Sequence, residues 1–279
     1  MRTWFITGAS RGFGALVVER ALAQGDAVIA TARNPEAVTK RFGDHPALLA
    51  VALDVTNEDQ AKKAVHAAVE RFGTIDVLLN NAGFGLMGAV EEASAAEIER
   101  VYGTNVFGLL NVTRAVLPIM RRQRSGRILN ISSIGGYRGA AGFGIYSSTK
   151  FAVEGLSEAL HAELAPLGIH VTAVETGYFR TDFLDASSLS VSPAIIEDYA
   201  DTAGRVRHVA AGLNHAQPGD PDKLAEVLID FANAAEPPVR LPLGSDTVAA
   251  ISSKHASDAA ILSEWRMISV STDFTEASV

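Results

Sequence analysis

The sequence predicts an α/β fold in which one doubly wound parallel sheet is covered by helices on both faces, as a three-layer α/β/α sandwich. Short apolar runs rich in β-branched residues alternate with amphipathic stretches as far as about residue 175, and a glycine-rich turn follows the first run. Strand, helix and strand in regular succession favour parallel pairing through right-handed crossovers. The predicted strands are Thr3–Ile6, Ala27–Ala30, Leu48–Leu53, Val77–Asn80, Arg127–Ile131 and His170–Val174, and the predicted helices are Phe13–Ala23, Asp59–Phe72, Asn105–Arg121 and Tyr146–Leu164.

The alternation of predicted strands and helices becomes less regular after residue 177. Residues 178–219 carry little strand signal, and a helix over Pro221–Ala235, a strand over Val239–Leu243 and a tail with one helical segment follow. Long segments of this kind inside a compact domain are more often lids or binding segments than idle loops, so we expect 178–219 to contact a substrate. A surface excursion without a role is the alternative. No linker or repeat divides the chain, so we expect residues 1–279 to form a single domain with a carboxyl-terminal extension over about 245–279.

The composition excludes several classes of protein. A net charge of −8 argues against binding to nucleic acid, and the scattered Lys and Arg residues argue against an anionic membrane surface. The chain has no cysteine, and its seven histidines form no ligand pattern, so we expect no metal site. The amino terminus leads directly into a strand, and no run approaches the ~20 apolar residues of a membrane span. We therefore expect a soluble, cytoplasmic protein.

The glycine-rich turn, Thr7–Gly14, lies between the first strand and the first helix. Glycines at positions 8, 12 and 14 permit a tight turn, a close approach of the backbone to a phosphate and close packing of the helix on the sheet. The helix that follows presents its free N–H groups to an anion. This context predicts a phosphate-binding turn, because a glycine-rich loop alone is weak evidence.

A second candidate site lies where the strand Arg127–Ile131 ends and the helix from Tyr146 begins. Tyr146 and Lys150 are four residues apart, so they share one helix face. An ammonium beside a phenol lowers the phenol's pKa, which is ordinarily about 10, toward the range of a general acid or base. Ser133, at the end of the strand, is placed to hydrogen-bond a carbonyl that Tyr146 protonates. By itself, a Tyr and a Lys on one face are more often an aromatic anchor beside a solvated cation.

These motifs, in this order, resemble those of the short-chain dehydrogenase/reductase superfamily over about residues 1–245, which implies a Rossmann-type fold. The likeness rests on Thr7–Gly14, Asp54-Val55, Asn80–Gly83, Asn105, Ser133, Tyr146 and Lys150. It implies a catalytic tetrad of Asn105, Ser133, Tyr146 and Lys150. It also implies a cofactor site formed by Gly8, Ser10, Arg11, Gly12, Phe13, Gly14, Arg33, Asp54, Val55, Asn81, Ala82, Gly83, Tyr146, Lys150, Thr176, Gly177 and Phe179.

The resemblance assigns each tetrad residue a role. Lys150 holds the nicotinamide ribose and lowers the pKa of Tyr146, which donates or accepts the proton, while Ser133 holds the substrate oxygen. Asn105 interrupts regular helix bonding and holds a water that links Lys150 to solvent. Without the family, a mid-helix asparagine that makes a local backbone bond is the simpler interpretation of Asn105.

The expected cofactor is NADP(H) rather than NAD(H). NAD-preferring relatives have an acidic residue at the end of the second strand, where this chain has Ala32 followed by Arg33. Arg11 in the glycine-rich turn is the second guanidinium available for a 2′-phosphate. The alternative is that Arg33 is only a solvated loop cation. The family usually has Pro-Gly after the sixth strand, and Thr176-Gly177 stands there in this chain, which leaves the loop less rigid.

The sequence therefore predicts an oxidoreductase that moves a hydride between NADP(H) and a carbonyl or secondary alcohol of a mostly apolar small molecule. Such pockets are mainly hydrophobic. The candidate substrate contacts are Phe84, Met87, Ile134, Phe143, Tyr178 and Phe183. A non-catalytic dinucleotide sensor, or a dehydratase or epimerase on the same scaffold, is the rival interpretation.

The expected assembly is a homodimer or homotetramer. In relatives, the helix from Tyr146 and the helix Asn105–Arg121 form a dimer interface. Here the first of these is more apolar than one sheet contact requires, at Phe151, Val153, Leu156, Leu160 and Leu164. The alternative is that these residues belong to the monomer core.

Overall fold

The computed structural model describes residues 1–274, and a seven-stranded parallel sheet forms its centre. The strands are β1 (Thr3–Thr7), β2 (Ala27–Ala32), β3 (Leu48–Ala52), β4 (Val77–Asn80), β5 (Gly85–Met87), β6 (Gly126–Ile131), β7 (Ile169–Thr176), β8 (Leu189–Val191) and β9 (Arg240–Leu243). The strand order is β3-β2-β1-β4-β6-β7-β9. The order reverses between β1 and β4, and at such a switch point the carboxyl ends of the strands open a crevice for ligands.

Helices cover both faces of the sheet, as the sequence predicts. They are α1 (Gly12–Ala23), α2 (Glu36–Phe42), α3 (Glu58–Phe72), α4 (Ala95–Tyr102), α5 (Leu109–Gln123), α6 (Gly144–Leu164), α7 (Arg205–Leu213), α8 (Pro221–Phe231) and α9 (Ser245–Val270). The predicted Rossmann-type, doubly wound α/β class is confirmed, and the predicted strands and helices that make up the sandwich each lie within a few residues of an observed one.

The core lies in two layers, one on each side of the sheet, because successive strand residues point to opposite faces. Trp4 and Ile6 of β1 pack on the side of α1 and α8, where Leu228 is also buried. Phe5 packs on the opposite side against the α3 and α5 layer, with Met120. Both faces of β1 are therefore buried, which is why this strand appears as a continuous apolar run.

The segment 178–219, where the sequence carries little strand signal, nevertheless contains a strand. Strand β8 lies within it and pairs in parallel with β5 as a separate two-stranded sheet, and α7 lies nearer its end. A three-residue strand is too short to show the alternation by which strands are recognised. Helices α2 and α4 were also not predicted, because each is only about two turns long.

The helix predicted from Asn105 does not begin there. Asn105 lies in a π-helical segment, Gly103–Gly108, that joins α4 to α5. Wide turns of this kind release backbone groups from regular pairing and occur frequently at functional sites. The interrupted helix bonding that the resemblance implies for Asn105 is thus present.

The helical segment predicted in the tail is α9, which extends away from the rest of the protein. Thr247 is buried at its base, whereas every residue from His255 to Phe274 is exposed. Residues 275–279 of the predicted extension lie outside the described residues. Among residues 1–274, no helix is long and apolar enough to cross a membrane.

The glycine-rich turn brings α1 unusually close to the carboxyl ends of β1 and β4. A Cβ atom at Gly14 would lie 2.5 Å from the carbonyl oxygen of Gly8 and 2.7 Å from Nδ2 of Asn81. Gly8 itself has a φ of +65°, which side chains rarely adopt. Only glycine at position 14 therefore allows the first turn of α1 to pack in this position.

We expect Gly14→Ala to lower the free energy of unfolding by about 1–3 kcal/mol, because the added methyl group overpacks the turn. Urea denaturation measures this change. Gly155→Ala is the matched control, since a Cβ atom there meets nothing within 4 Å. As a glycine-to-alanine change inside a helix, it should raise stability by up to about 1 kcal/mol. Equal effects of the two variants would contradict this account of the turn.

Candidate active site

One large cavity lies along the carboxyl edge of the sheet, with a volume of about 1160 Å³. Its walls come from the turn after β1, the ends of β3, β4 and β6, the start of α6, and the segment after β7. The volume exceeds the roughly 300–1,000 Å³ typical of pockets for drug-sized ligands. The cavity is therefore large enough for two ligands or one extended ligand.

The glycine-rich turn forms one part of the wall. Helix α1 begins there with no side-chain cap and no acidic residue in its first turn, so its first N–H groups remain available to an anion. Gly12 has a φ of +53°, and a Cβ atom at that position would meet nothing within 4 Å. This open cradle fits the diphosphate of a dinucleotide. Among residues 1–274, no group of three or more His, Asp or Glu side chains is placed to hold a metal ion.

Hydrogen bonds from β4 hold the turn in place. The hydroxyl of Thr7 accepts from the backbone N–H groups of Asn81 at 2.9 Å and Ala82 at 3.0 Å. Nδ2 of Asn81 donates to the carbonyls of Thr7 at 2.9 Å and Gly8 at 3.1 Å. The side chain of Asn81 therefore fixes the shape of the turn.

Arg11 and Arg33 lie on the cavity wall together with Ala32, as the NADP(H) prediction requires. Both guanidinium groups belong to exposed residues, and Nη2 of Arg11 donates to the carbonyl oxygen of Ser187 at 2.6 Å. Asp54 also lines the cavity, where its carboxylate accepts hydrogen bonds from Thr56. Arg11 thus bridges the glycine-rich turn and the segment 178–219.

Ser133, Tyr146 and Lys150 come together on another part of the wall. All three are buried, with exposed fractions of 9%, 8% and 7%. Nζ of Lys150 lies 5.8 Å from the centre of the Tyr146 ring and donates to the carbonyl oxygen of Ile131 at 2.7 Å. The last residue of β6 thus orients the ammonium.

Burial works against the lowering of the Tyr146 pKa that was predicted for Lys150. Burial raises the pKa of the Tyr146 phenol above its usual range, and the neighbouring Ser133 hydroxyl opposes this only in part. Burial also lowers the pKa of Lys150 to about 8. Removal from water disfavours the charged form of both groups, and the ammonium is directed at a carbonyl rather than at the phenol oxygen.

Asn105 stands behind the cavity wall and does not line the cavity. Its Oδ1 accepts from the N–H of Phe84 at 3.1 Å, and its Nδ2 donates to the carbonyl of Phe84 at 3.0 Å. A Cβ atom at Gly83 would lie 3.1 Å from Oδ1 of Asn105 and 3.8 Å from Nζ of Lys150. Asn105 therefore fixes the backbone beside Lys150.

Five of the six predicted substrate contacts line the cavity, namely Phe84, Ile134, Phe143, Tyr178 and Phe183. The ring of Tyr146 packs at 6.1 Å from that of Phe143 and at 5.7 Å from that of Phe183. Met87 does not line the cavity and was wrongly predicted. It is buried in a small cluster with Leu189 and Ala210, because the pairing of β5 with β8 turns it away from the cavity.

The predicted cofactor residues also line the cavity, except Gly14, which lies behind the turn. Sequence reasoning missed part of the wall, namely Arg100 on α4 and the residues Leu184, Leu189, Ser190 and Gln217. The four residues after β7 belong to the segment that was predicted to contact a substrate as a whole. Arg100 carried no signal, because α4 was not predicted.

A buried ion pair holds the segment 178–219 against the rest of the site. Glu92 is 3% exposed and contacts Arg207 of α7, and its carboxylate also accepts from the N–H groups of Ala89 at 2.6 Å and Ile196 at 3.0 Å. Breaking a buried pair leaves an uncompensated charge, which strongly disfavours release of the segment.

Residues that come later in the chain hold the loop Thr176-Gly177 in place, although the loop lacks the usual proline. The N–H of Gly177 donates to the carbonyl of Leu243 at 3.2 Å, and the N–H of Tyr178 donates to Oδ2 of Asp246 at 2.8 Å. A Cβ atom at Gly177 would collide with the Asp246 carboxylate. Hydrogen bonds to the end of β9 and to the base of α9 thus restrict a loop that the sequence alone leaves flexible.

The chain matches a family model described as short chain dehydrogenase over residues 2–190. It is similar to Oxidoreductase BOA17 of Botryotinia fuckeliana, at 40% identity over 97% of this chain and 99% of the relative. It is also similar to 3-ketodihydrosphingosine reductase of Bacteroides thetaiotaomicron, at 40% identity over 86% of each chain. A crystal structure of a short-chain dehydrogenase from Streptomyces avermitilis superposes with a TM-score of 0.90 at 40% identity, covering 98% of this chain and 100% of the other.

Solved structures of similar fold hold either nicotinamide cofactor. ElxO with NADP bound superposes with a TM-score of 0.73 at 26% identity, covering 89% of this chain and 99% of the other. A 3-ketoacyl-(acyl-carrier-protein) reductase from Brucella melitensis, complexed with NADH, superposes with a TM-score of 0.72 at 27% identity, covering 87% and 96%. With the family match over residues 2–190 and relatives at 40% identity, the chain belongs to the short-chain dehydrogenase family of oxidoreductases.

Proposed function

We propose that this protein is an NADP(H)-dependent ketoreductase that reduces the carbonyl group of a mostly apolar small molecule, or oxidises the corresponding secondary alcohol. The observation that carries the proposal is one cavity lined both by an uncapped, glycine-rich helix start and by Ser133, Tyr146 and Lys150. A carbonyl substrate is further supported by the relative that is named as a reductase of 3-ketodihydrosphingosine.

When bound, the nicotinamide cofactor supplies or accepts the hydride. The turn after β1 and the start of α1 bind its diphosphate, and Arg11 and Arg33 bind a 2′-phosphate. Thr176, Gly177 and Phe179 would hold its nicotinamide end, and Asp54 and Val55 would hold its adenine, since all five residues line the cavity.

Tyr146 donates its proton to the substrate oxygen during reduction, and Ser133 holds that oxygen through a hydrogen bond. Because burial raises the pKa of Tyr146, the phenol keeps its proton at neutral pH, which suits the reductive direction. Lys150 holds the ribose hydroxyls and is positively charged only below its pKa of about 8. The reductive activity should therefore fall as the pH rises through that value.

The substrate end of the cavity has an aromatic wall of Phe84, Phe143, Tyr178 and Phe183 around Tyr146. Binding of an apolar substrate against this wall is favourable, because burial of apolar surface contributes roughly 25 cal/mol per Å². We therefore assign the site an apolar ketone, and we propose that 178–219 acts as its cover. We also propose that the chain forms one domain, with α9 as an extension, and that the protein is cytoplasmic.

Tyr146→Phe should lower kcat/KM for NADPH-dependent ketone reduction by about 10²–10⁴-fold, because the variant has no phenolic proton to donate. The decrease in NADPH absorbance across a panel of ketones and aldehydes measures this, and NADPH fluorescence confirms that the cofactor still binds. Tyr102→Phe is the matched control, since its hydroxyl contacts Ser148 and should not affect the rate.

Three outcomes would overturn the proposed mechanism or function. Full activity of Tyr146→Phe would remove Tyr146 as the proton donor. Tight NADPH binding without turnover of any substrate would favour a dinucleotide sensor. Turnover without net oxidation of the cofactor would favour a dehydratase or an epimerase.

Arg33→Ala should weaken NADPH binding by about 10–100-fold and leave NADH binding nearly unchanged, because a hydrogen bond between charged groups contributes about 1.5–3 kcal/mol. Fluorescence titration with each cofactor measures both affinities. Arg41→Ala, which removes an exposed guanidinium 3.9 Å from Glu19, serves as the control. An equal effect on NADPH and NADH would show that Arg33 does not recognise the 2′-phosphate.

We also propose a homodimer or homotetramer in which the faces of α5 and α6 meet a second copy. Phe107, just before α5, is 58% exposed and Phe151 on α6 is 44% exposed, so large apolar side chains face solvent in the single chain. Phe151→Asp should shift the mass measured by light scattering toward that of a monomer. Val209→Asp, at a 62% exposed position on α7, should not. A monomeric wild-type protein at all concentrations would contradict the proposal.

A further inference from the structure

Lys150 has a charged neighbour that the proposed mechanism does not use. Glu154 follows it by one turn of α6, on the same helix face, and only 2% of Glu154 is exposed. A Cβ atom at Gly136 would lie 3.0 Å from Cγ of Glu154 and 3.0 Å from the carbonyl oxygen of Lys150. Both residues therefore pack directly against the backbone of Gly136.

Glu154 also belongs to a cluster around the single guanidinium of Arg240 on β9. Nη1 of Arg240 lies 3.5 Å from Oε2 of Glu154 and 3.1 Å from Oε1 of Glu175, and Nη2 lies 2.9 Å from Oε1 of Glu158. Glu175 is 1% exposed, so two of the three carboxylates are taken out of water. One guanidinium thus faces three carboxyl groups, and Glu154 is the one that lies one turn from Lys150.

Groups from every packed element surround Glu154. Lys150 and Glu158 face it along α6, Ser132 from the end of β6, Glu175 from β7 and Arg240 from β9. Farther out, the guanidinium of Arg240 lies 4.9 Å from the centre of the Tyr137 ring, and the Tyr137 hydroxyl contacts His255 of α9. The cluster therefore extends from the catalytic wall to the surface.

Among the described residues, the Ser132 hydroxyl and the Arg240 guanidinium both favour the ionised form of Glu154. Nearby positive charge stabilises a buried carboxylate, and the ammonium of Lys150 lies one turn away on α6. The attraction is mutual, since a negative charge one turn away favours the protonated form of Lys150.

We propose that Glu154 is a positioning residue for the reaction, and that its negative charge keeps the buried Lys150 ammonium protonated. In this arrangement Arg240 favours the ionised form of Glu154, and that charge favours the ammonium form of Lys150, which holds the ribose in the proposed function. The inference rests on the proposed function only for its effect on the rate, because the charge of Lys150 can be measured without turnover.

The pH dependence follows with a definite sign. Burial raises the pKa of Glu154 to about 7, with Glu175 and Glu158 acting in the same direction and Ser132 and Arg240 against it. Burial lowers the pKa of Lys150 to about 8, and the charge of Glu154 raises it. Removing that charge must therefore lower the pKa of Lys150 further and move the alkaline fall in activity to lower pH.

The test is an NMR titration of the full-length protein with isotope-labelled lysine side chains. The chain has six lysines, and the spectrum of Lys150→Arg identifies the Lys150 signal. Glu154→Gln should lower the pKa of Lys150 by about 1 pH unit, the lower end of the effect of one opposite charge at close range. The alkaline limb of the kcat/KM profile for ketone reduction should move by the same amount.

Glu158→Gln is the matched control, because it also removes one carboxylate from Arg240 but the side chain is 54% exposed and lies a further turn from Lys150. It should not lower the pKa of Lys150. An unchanged pKa in Glu154→Gln, or an equal decrease in both variants, would overturn the proposal. Absence of turnover in the wild-type protein would reject the proposed ketoreductase, while the NMR titration would still decide the role of Glu154.

Arg240→Gln provides a second test if Glu154→Gln does not fold. Losing the guanidinium acts on Lys150 in two opposite ways. Directly, removal of a positive charge would raise the pKa of Lys150, whereas neutralisation of Glu154 would lower it. A decrease would establish that the effect passes through Glu154. The same shift in Arg240→Gln alone and in Arg240→Gln combined with Glu154→Asn would show that Glu154 carries no part of it and would overturn the proposal.

Discussion

A buried chain of side-chain hydrogen bonds at the centre of the sheet supports the rest of the site. Nδ2 of Asn80, the last residue of β4, donates to Oδ1 of Asn130 on β6 and to the hydroxyl of Thr113 on α5, each at 2.9 Å. Nδ2 of Asn130 donates in turn to the hydroxyl of Ser157 on α6 at 2.9 Å. Because an unpaired buried amide costs about 1–3 kcal/mol, this network fixes α5 and α6 against the two strands that end at the cavity.

Burial is the second constraint, and it acts on Tyr146 and Lys150, which lie on the helix that this hydrogen-bond network fixes. Burial raises the pKa of Tyr146 and lowers the pKa of Lys150, because both side chains lie on α6 away from water. The sheet supplies the compensating partners, namely the carbonyl of Ile131 at the end of β6 and the cluster around Arg240 on β9. The chemistry of the site thus depends on strands that contribute no residue to the proposed proton transfer.

The parts of the fold that could be predicted are those with a strong local signal. Strand β1 is buried at every position and apolar from Trp4 to Ile6, because both of its faces are covered, and the turn from Thr7 to Gly14 needs its glycines. Strands β5 and β8 each have three residues and are stable only as a pair, so no local pattern reveals them. Met87 was misplaced for the same reason, since the pairing of β5 directs its side chain into a separate cluster.

The sequence by itself determined the order of the seven central strands and the longer helices, the glycine-rich turn, and the spacing that brings Ser133, Tyr146 and Lys150 to one edge of the sheet, because these depend on residues close together in the chain. Only the tertiary structure decided the protonation of that site. The pKa of a buried group depends on how far water is excluded and on which charges approach from other elements. Arg240 is 86 residues from Glu154 in the sequence, so its place beside the catalytic helix follows only from the pairing of β9 with β7.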